Sequence, residues 1–251
     1  MEVINNLGKS EVCQGDNTIY PLEVSHVTAT YSDGKVLACG GFPATDQCFS
    51  FDKEKGWVKF SKMNQARQQS ASIPINGGMV ITGGYTTDGF TTLKSSQIVL
   101  LNGTATTEGP ELPQPRHGHC LAYDEKDDVF FVTGGWDDDF KTTSWQFRDK
   151  EKFILIGTTE MIKSRSSHGC GFFKSDLHNG RQLLVVSGGS GTGIQSCEFY
   201  DFTEPDSQWQ LCSKSNSTFF YLLGPNTTTK FQYQLISNVF FFHTKAYRHR
   251  F

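Results

Sequence analysis

Histidine is the first residue type in this chain that could do chemistry. His117 and His119 form an His-x-His pair, and on a strand both side chains would point to one face, as in half of a metal site. Cysteines and carboxylates at metal-ligand spacing are missing around the pair, so we predict no metal there. His26, His119 and His168 fall at one position of a repeated pattern, and repetition favours a structural hydrogen bond over catalysis. We therefore predict no catalytic residue and no bound cofactor.

Two cysteines, Cys39 and Cys48, stand on either side of the doublet Gly40-Gly41. If this segment is a hairpin, its strands bring the two sulfurs across from each other, as a disulfide needs. Whether the bond forms then depends on the compartment, because disulfides persist in oxidising surroundings. The sequence leaves the bridged pair and the reduced pair as equal alternatives.

The other cysteines have no such simple pairing. Cys120 and Cys170 occupy matching first-strand positions, where we expect each to be an inert, packed thiol. Cys197 lacks a counterpart of Cys39, which leaves Cys212 as its alternative partner. The chain has seven cysteines, and an odd number leaves at least one unpaired unless it pairs between chains.

An acidic loop flanked by aromatic residues is the most function-like local feature. It consists of Trp136, Asp137, Asp138, Asp139, Phe140 and Lys141. Three carboxylates beside aromatic rings could receive a basic peptide or a hard cation. The alternative, which the sequence favours, is a solvated loop with a partly buried tryptophan.

A repeat supplies the elements that must position these residues. Four glycine doublets, each preceded by a short apolar run, follow one another at spacings of 43, 51 and 54 residues. Such spacings are typical of propeller and solenoid arrays. The doublets are Gly40-Gly41, Gly83-Gly84, Gly134-Gly135 and Gly188-Gly189.

Each repeat divides into four short strands. In the first repeat we expect strands near 25–31, 35–39, 47–51 and 57–60, separated by turn residues. The sequence Ser32-Asp33-Gly34 predicts a tight hairpin turn between the first two. A single sheet of this kind cannot bury both of its faces, so neighbouring repeats must stack.

Aromatic residues follow each doublet. Cys48 to Asp52, followed by Trp57, aligns residue for residue with Cys197 to Asp201, followed by Trp209. This pattern resembles the kelch repeat, which carries a double glycine, a downstream tyrosine and a tryptophan. The resemblance covers about residues 20 to 212 and implies four-stranded blades of a β-propeller. The second repeat lacks the tryptophan, and the third has Phe153 in its place.

The predicted fold class is therefore all-β, a kelch-type β-propeller of about four four-stranded blades. Since kelch rings usually have five to seven blades, four leave ring closure open. The C-terminal tail carries five basic and no acidic residues and holds no fifth doublet. Either it adds strands or a cap to the open edge, or the chain is a fragment or an altered C-terminus of a longer propeller whose remaining blades are missing. The predicted domains are an N-terminal segment, 1–20, which could supply a ring-closing strand; blades at about 21–62, 63–112, 113–162 and 163–212; and an atypical basic, Phe-rich tail, 213–251.

Charge and hydrophobicity exclude other classes. A net charge of −3 gives no basic field for nucleic acid, and the apolar clusters are shorter than the ~20 residues of a membrane span. The first residues contain no secretory signal, so we expect a cytoplasmic protein if Met1 is the true start and an extracellular one if the chain is a fragment of a secreted protein. The oligomeric state is not predicted.

The resemblance implies the function. Loops that leave the glycine doublets should emerge on one face, where proteins similar to this bind their partners. We expect a non-enzymatic protein–protein interaction module that presents loop residues to a protein partner. Galactose-oxidase-like copper enzymes, which share such propellers, are one alternative; a truncated fragment without independent function is another. The expected partner-binding residues are Phe42, Tyr85, Trp136, Asp137, Asp138, Asp139 and Phe140.

Overall fold

The computed structural model describes residues 2–4, 10–12, 19–86, 91–103, 106–175, 180–212, 229–236 and 239–246. Within these residues the regular elements are all β-strands, and no helix occurs. Four antiparallel four-stranded sheets form the blades of a propeller, so the predicted fold class is confirmed at that level. More than half of the residues in the two terminal segments expected at 1–20 and 213–251 lie outside the described residues.

The strands follow one another from the innermost to the outermost position of each blade. A hairpin of β1 (Glu2–Ile4) and β2 (Ser10–Val12) precedes them. Blade 1 comprises β3 (Thr28–Ser32), β4 (Lys35–Cys39), β5 (Gln47–Asp52) and β6 (Gly56–Lys62); blade 2 comprises β7 (Ala71–Ile75), β8 (Gly78–Thr82), β9 (Ser96–Leu100) and β10 (Thr107–Gly109).

Blades 3 and 4 carry additional short strands in their loops, and a separate hairpin follows them. Blade 3 comprises β11 (Cys120–Asp124), β12 (Val129–Thr133), β15 (Thr143–Arg148) and β16 (Ile154–Glu160), with β13 (Trp136–Asp137) and β14 (Asp139–Phe140) forming a loop hairpin; blade 4 comprises β18 (Gly169–Ser175), β19 (Arg181–Ser187), β21 (Cys197–Tyr200) and β22 (Gln210–Leu211), with β17 (Arg165–Ser166) pairing β20 (Ser190–Gly191); β23 (Thr229–Ile236) and β24 (Val239–Ala246) form the last hairpin.

Local sequence explains the shape of blade 1. Asp33 and Gly34 both have positive φ, 48° and 77°, which is the backbone of the type I′ turn that an Asp-Gly pair favours. The second strands β8 and β12 are buried along their whole length, because neighbours cover both faces of each sheet. The first strand begins at Thr28, three residues later than expected.

Apolar side chains between the blades form the core. Blades 1 and 2 share one cluster, blades 2 and 3 a second, and blades 3 and 4 a third. Trp209 belongs to the third and stacks on Tyr200 at a centroid distance of 5.4 Å. Trp57 packs edge-on against Tyr20, with ring centroids 4.9 Å apart. Each repeat is therefore stabilised mainly by its neighbours, as in other stacked arrays.

The glycine doublets join consecutive blades. The first glycine has positive φ, and a Cβ on it would lie 2.4 to 2.5 Å from the carbonyl oxygen of an arginine in the next blade. The second glycine donates its N–H to that same carbonyl. These bonds are Gly41 to Arg67 at 3.1 Å, Gly84 to Arg116 at 2.8 Å and Gly135 to Arg165 at 2.8 Å. Glycine is required here because the neighbouring backbone takes the space of a side chain.

Among the described residues, no helix has the length and apolar character that crossing a membrane requires.

Candidate functional site

One end of the propeller carries the connections from second to third strands together with the connections between blades. We call this end the loop face. Both sets of connections meet there because the first and second strands are antiparallel. In three blades the residue after the glycine doublet pairs with the residues that lead into the first strand: Ser25 with Phe42, Gln68 with Tyr85 and His117 with Trp136. In blade 4 the strands β17 and β20 make the corresponding contact.

The residues expected to bind a partner lie on this face. Phe42 is 47% exposed, and Tyr85, Trp136 and Phe140 are half-buried. Asp137 is half-buried, whereas Asp138 and Asp139 are exposed. An aromatic residue thus follows the doublet in three successive blades, and acidic residues accompany it in the third.

A small hairpin gives the acidic loop a defined shape. Strand β13 pairs with β14, and the rings of Trp136 and Phe140 meet edge to face with centroids 4.5 Å apart. Asp138 forms the tip with a φ of 57°. The Asp139 carboxylate accepts a hydrogen bond from the backbone N–H of Phe140 at 2.7 Å. Aromatic packing at its base therefore holds the carboxylates out toward solvent.

A second aromatic contact links blades 2 and 3 on the loop face. The rings of Tyr85 and His117 lie 4.7 Å apart, and Nδ1 of His117 lies 3.3 Å from Oγ1 of Thr92. Burial lowers the pKa of His117, and the negative charge of Asp137 offsets part of that effect. A neutral imidazole is thus favoured within the aromatic surface.

Two exposed isoleucines on this face were missed by the sequence argument. Ile162 lies in the connection between blades 3 and 4 and is 48% exposed, and Ile194, in the blade 4 loop, is 59% exposed. Neither belongs to a repeated pattern, so a contribution to the surface could be recognised only once the loops were placed. They extend the apolar surface toward blade 4.

A cavity of about 140 Å³ lies where the four blades meet. Residues that lead into or begin the innermost strands line it, and charged side chains are absent from this lining. It is bordered by His26, Gln69, Gly118 and Ser167, residues that share a positive φ in the four blades.

This equivalence corrects the alignment of the histidines. In each blade, one residue of the first strand pairs with the residue just before the glycine doublet. His119 and His168 each come one residue before that first-strand residue. His26 comes two residues before it, since the pairing residue of blade 1 is Thr28. The sequence alignment of blade 1 is therefore wrong by one residue. The matching position there is Val27, and His26 is exposed.

The two equivalent histidines are buried between blades. Nε2 of His168 lies 2.8 Å from Oγ1 of Thr133 in blade 3, which is an inter-blade hydrogen bond. Burial lowers the pKa of His119 to about 3 and also lowers the pKa of His168 well below its usual range. Both imidazoles are therefore neutral at pH 7. His168 makes a hydrogen bond between blades, and His119 packs between them.

Three buried arginines donate hydrogen bonds to the glycine doublets. Arg67, Arg116 and Arg165 are fully buried, and each donates to the carbonyl of the first glycine of its own blade. Burial lowers the pKa of the first two to about 10. The guanidinium of Arg116 stacks over Trp145, 3.5 Å from the ring centroid.

Three cysteine pairs lie at bonding distance. Cys39 and Cys48 have their sulfurs 2.03 Å apart, across β4 and β5. The expectation that Cys120 and Cys170 are inert thiols is wrong, because their sulfurs are bonded. Cys120 pairs with the residue before the doublet of blade 3, whereas Cys170 lies one residue after the corresponding position of blade 4. This offset of one residue places the two sulfurs next to each other. The third pair is Cys197 with Cys212. Over the part of the chain that is described, no group of three His, Cys, Asp or Glu side chains could hold a metal ion.

Comparison with known proteins supports the architecture. No protein-family model matches the chain, and no curated protein matches it either. A solved structure titled "Structure of YjhT" superposes with a TM-score of 0.61, over 78% of this chain and 67% of that chain. The two sequences are 14% identical, a level at which the likeness concerns the fold alone.

Proposed function

We propose that this chain is a kelch-type propeller that serves as a non-enzymatic protein-interaction module, and that its partner binds on the loop face. The observation that carries the proposal is the aromatic residue after the glycine doublet in three successive blades: Phe42, Tyr85 and Trp136. Aromatic side chains are enriched in interfaces and contribute much of their binding energy.

The rigidity of the scaffold supports this role. In blades 1 to 3 the start of each loop is anchored by a bridge to the connection between blades and by a glycine doublet bonded to the next blade. Because the backbone at these anchor points is held in place, ordering the aromatic residues that follow the doublets costs little entropy when a partner binds. Loops that differ in sequence on such a scaffold are typical of binding surfaces.

The charge of the surface indicates the chemistry of the partner. Asp137, Asp138 and Asp139 lie next to the paired rings of Trp136 and Phe140. A partner segment with lysine or arginine would find carboxylates for its charge and rings for its aliphatic stem. We therefore expect binding to weaken as the salt concentration rises.

Quantitative affinity purification with a loop-face variant and a control variant tests the proposal. The loop-face variant combines Phe42→Ala with Trp136→Ala. The control is Tyr31→Ala, which removes an aromatic residue that is 65% exposed at the far end of β3. We expect proteins retained by the wild type and by the control to fall at least tenfold with the loop-face variant. Equal retention by all three chains would overturn the proposal.

A further inference from the structure

One face of blade 4 carries an apolar cluster that, among the described residues, contains side chains of blade 4 alone. We call it the leading face: Leu183 and Val185 on β19, Phe199 on β21, and the Cys197–Cys212 pair. Along β19 the alternate residues Leu184 and Val186 pack on blade 3, so Leu183 and Val185 point the other way. The apolar side chains described in this cluster all belong to blade 4.

The same face of the preceding blades is covered by the next blade. Leu37 of blade 1 clusters with Met79 of blade 2, and Phe131 of blade 3 clusters with Leu184 of blade 4. Yet Leu183 has no exposed surface and Phe199 is only 9% exposed. The leading face therefore requires a cover comparable to another blade.

The hairpin β23–β24 lies in the appropriate place. Its second strand, β24, lies against β18, the innermost strand of blade 4. The innermost strands of consecutive blades are neighbours in the same way, β3 with β7 and β7 with β11. Strand β24 thus takes the position that the innermost strand of a following blade would take.

The register of the hairpin gives it one mostly apolar face and one mixed face. Cross-strand partners share a face, and Tyr233 pairs with Phe242 while Leu235 pairs with Phe240. The other face begins with polar pairs, Gln232 with His243 and Lys230 with Lys245, and has apolar residues only toward its turn, where Ile236 pairs with Val239. A two-stranded hairpin is at best marginally stable alone in water, so this one needs a surface on which to pack.

We propose that the hairpin 229–246 docks its apolar face on the leading face of blade 4 and serves as a partial fifth blade. The occupant of that face is thus a segment of this same chain. Atypical terminal units of this kind are how stacked arrays cover an end that would otherwise expose apolar surface.

Photo-crosslinking in the full chain tests the location. The photoreactive amino acid p-benzoyl-phenylalanine replaces Val185, which is half-buried on the leading face. The control position is Val58, which is 41% exposed on the outer strand of blade 1. We expect Val185 to link to peptides from 229–246 within one chain, and Val58 to give no such link. A link to a second copy, or no link to the hairpin, would overturn the proposal.

Paired substitutions test which face docks. Tyr233→Asp with Phe242→Asp places charges on the apolar face, whereas Gln232→Asp with His243→Asp places them at neighbouring positions on the other face. We expect the first pair to lower Tm by more than about 5 °C, to raise binding of a hydrophobic dye and to abolish the crosslink. The second pair should change Tm by less than about 2 °C. Equal effects of both pairs would show that neither face is docked.

Discussion

Cys120 of blade 3 is bonded to Cys170 of blade 4 at the same pair of strand positions at which Thr28 of blade 1 donates a hydrogen bond to Ser72 of blade 2. Cys120 and Thr28 each pair, within their own blade, with the residue just before the glycine doublet. Cys170 and Ser72 each lie one residue after the residue that makes this pairing in the next blade. The junction between two blades therefore contains one contact position that accepts either a disulfide or a hydrogen bond between two hydroxyl groups.

This equivalence predicts a designed disulfide. The hydroxyl oxygens of Thr28 and Ser72 are 2.9 Å apart, so the double variant Thr28→Cys with Ser72→Cys should form a bond between blades 1 and 2. Closing the intervening loop would raise the free energy of unfolding by up to about 4 kcal/mol. Denaturant unfolding with and without reductant measures the gain. The single variant Ser72→Cys is the control, because reductant also breaks the three native disulfides in it. A loss of stability on reduction no larger in the double variant than in this control would contradict the prediction.

The glycine doublets predict a large difference between two substitutions with similar backbone strain. Gly134 and Gly77 both have positive φ, 55° and 74°. A Cβ on Gly134 would lie 2.4 Å from the carbonyl oxygen of Arg165, whereas a Cβ on Gly77 meets nothing within 4 Å. We expect Gly77→Ala to cost about 1–2 kcal/mol and Gly134→Ala at least about 3 kcal/mol. Urea unfolding at pH 7.5 gives both values, and equal losses would show that blade contact is not what selects glycine here.

Local patterns determine how much of this architecture can be predicted from the sequence. The turn at Asp33 and Gly34 and the apolar run before each doublet are read within a few residues, so the strands and the number of blades follow. The Cys120–Cys170 bond was missed because it depends on how two neighbouring blades are offset, which no local pattern records. His26 was misaligned for a related reason, since the first strand of blade 1 begins later than its sequence indicates.

Only the part of the loop face that depends on local patterns could be predicted from the sequence. A doublet identifies where a loop begins, so the positions of Phe42, Tyr85 and Trp136 could be anticipated. The exposure of Ile162 and Ile194 depends on the path of two loops and could not.

The buried histidines predict that stability falls at mildly acidic pH. Burial lowers the pKa of His119 to about 3 and that of His168 well below its usual range, and nearby Arg116 and Arg165 add to the effect. In the unfolded chain both titrate near 6.5. Stability is therefore complete above pH 6.5 and is lost as the pH falls toward the folded pKa, because the unfolded chain takes up protons that the native state excludes.

Urea unfolding at pH 7.5 and pH 5 measures this loss. Each histidine should contribute about 2 kcal/mol to the difference. The carboxylates whose pKa is lowered, such as Asp201, titrate mainly below this window. We expect His168→Gln to reduce the difference, whatever it does to stability at pH 7.5, and exposed His26→Gln to leave it unchanged. An unchanged difference in His168→Gln would contradict the assignment.

A buried carboxylate balances the charge of one buried arginine. Arg165 and Glu198 form an ion pair with both side chains fully buried. Glu198 also accepts hydrogen bonds from the backbone N–H groups of Ile162 and Lys163, at 2.6 and 3.1 Å. Replacing one partner leaves a buried charge unbalanced, so Glu198→Gln should cost about 3–5 kcal/mol at pH 7.5.

Blade 2 offers the matched experiment because Gln97 occupies there the strand position of Glu198 in blade 4. Each follows the residue that pairs with the end of the second strand, and Gln97 is itself buried. Arg67 makes the same bonds to its glycine carbonyl and serine hydroxyl as Arg165 does. Since Arg67 can balance a new carboxylate, Gln97→Glu should cost less than about 1 kcal/mol in urea unfolding at pH 7.5, far less than an isolated buried charge. A loss as large as that of Glu198→Gln would show that the two arginines are not electrostatically equivalent.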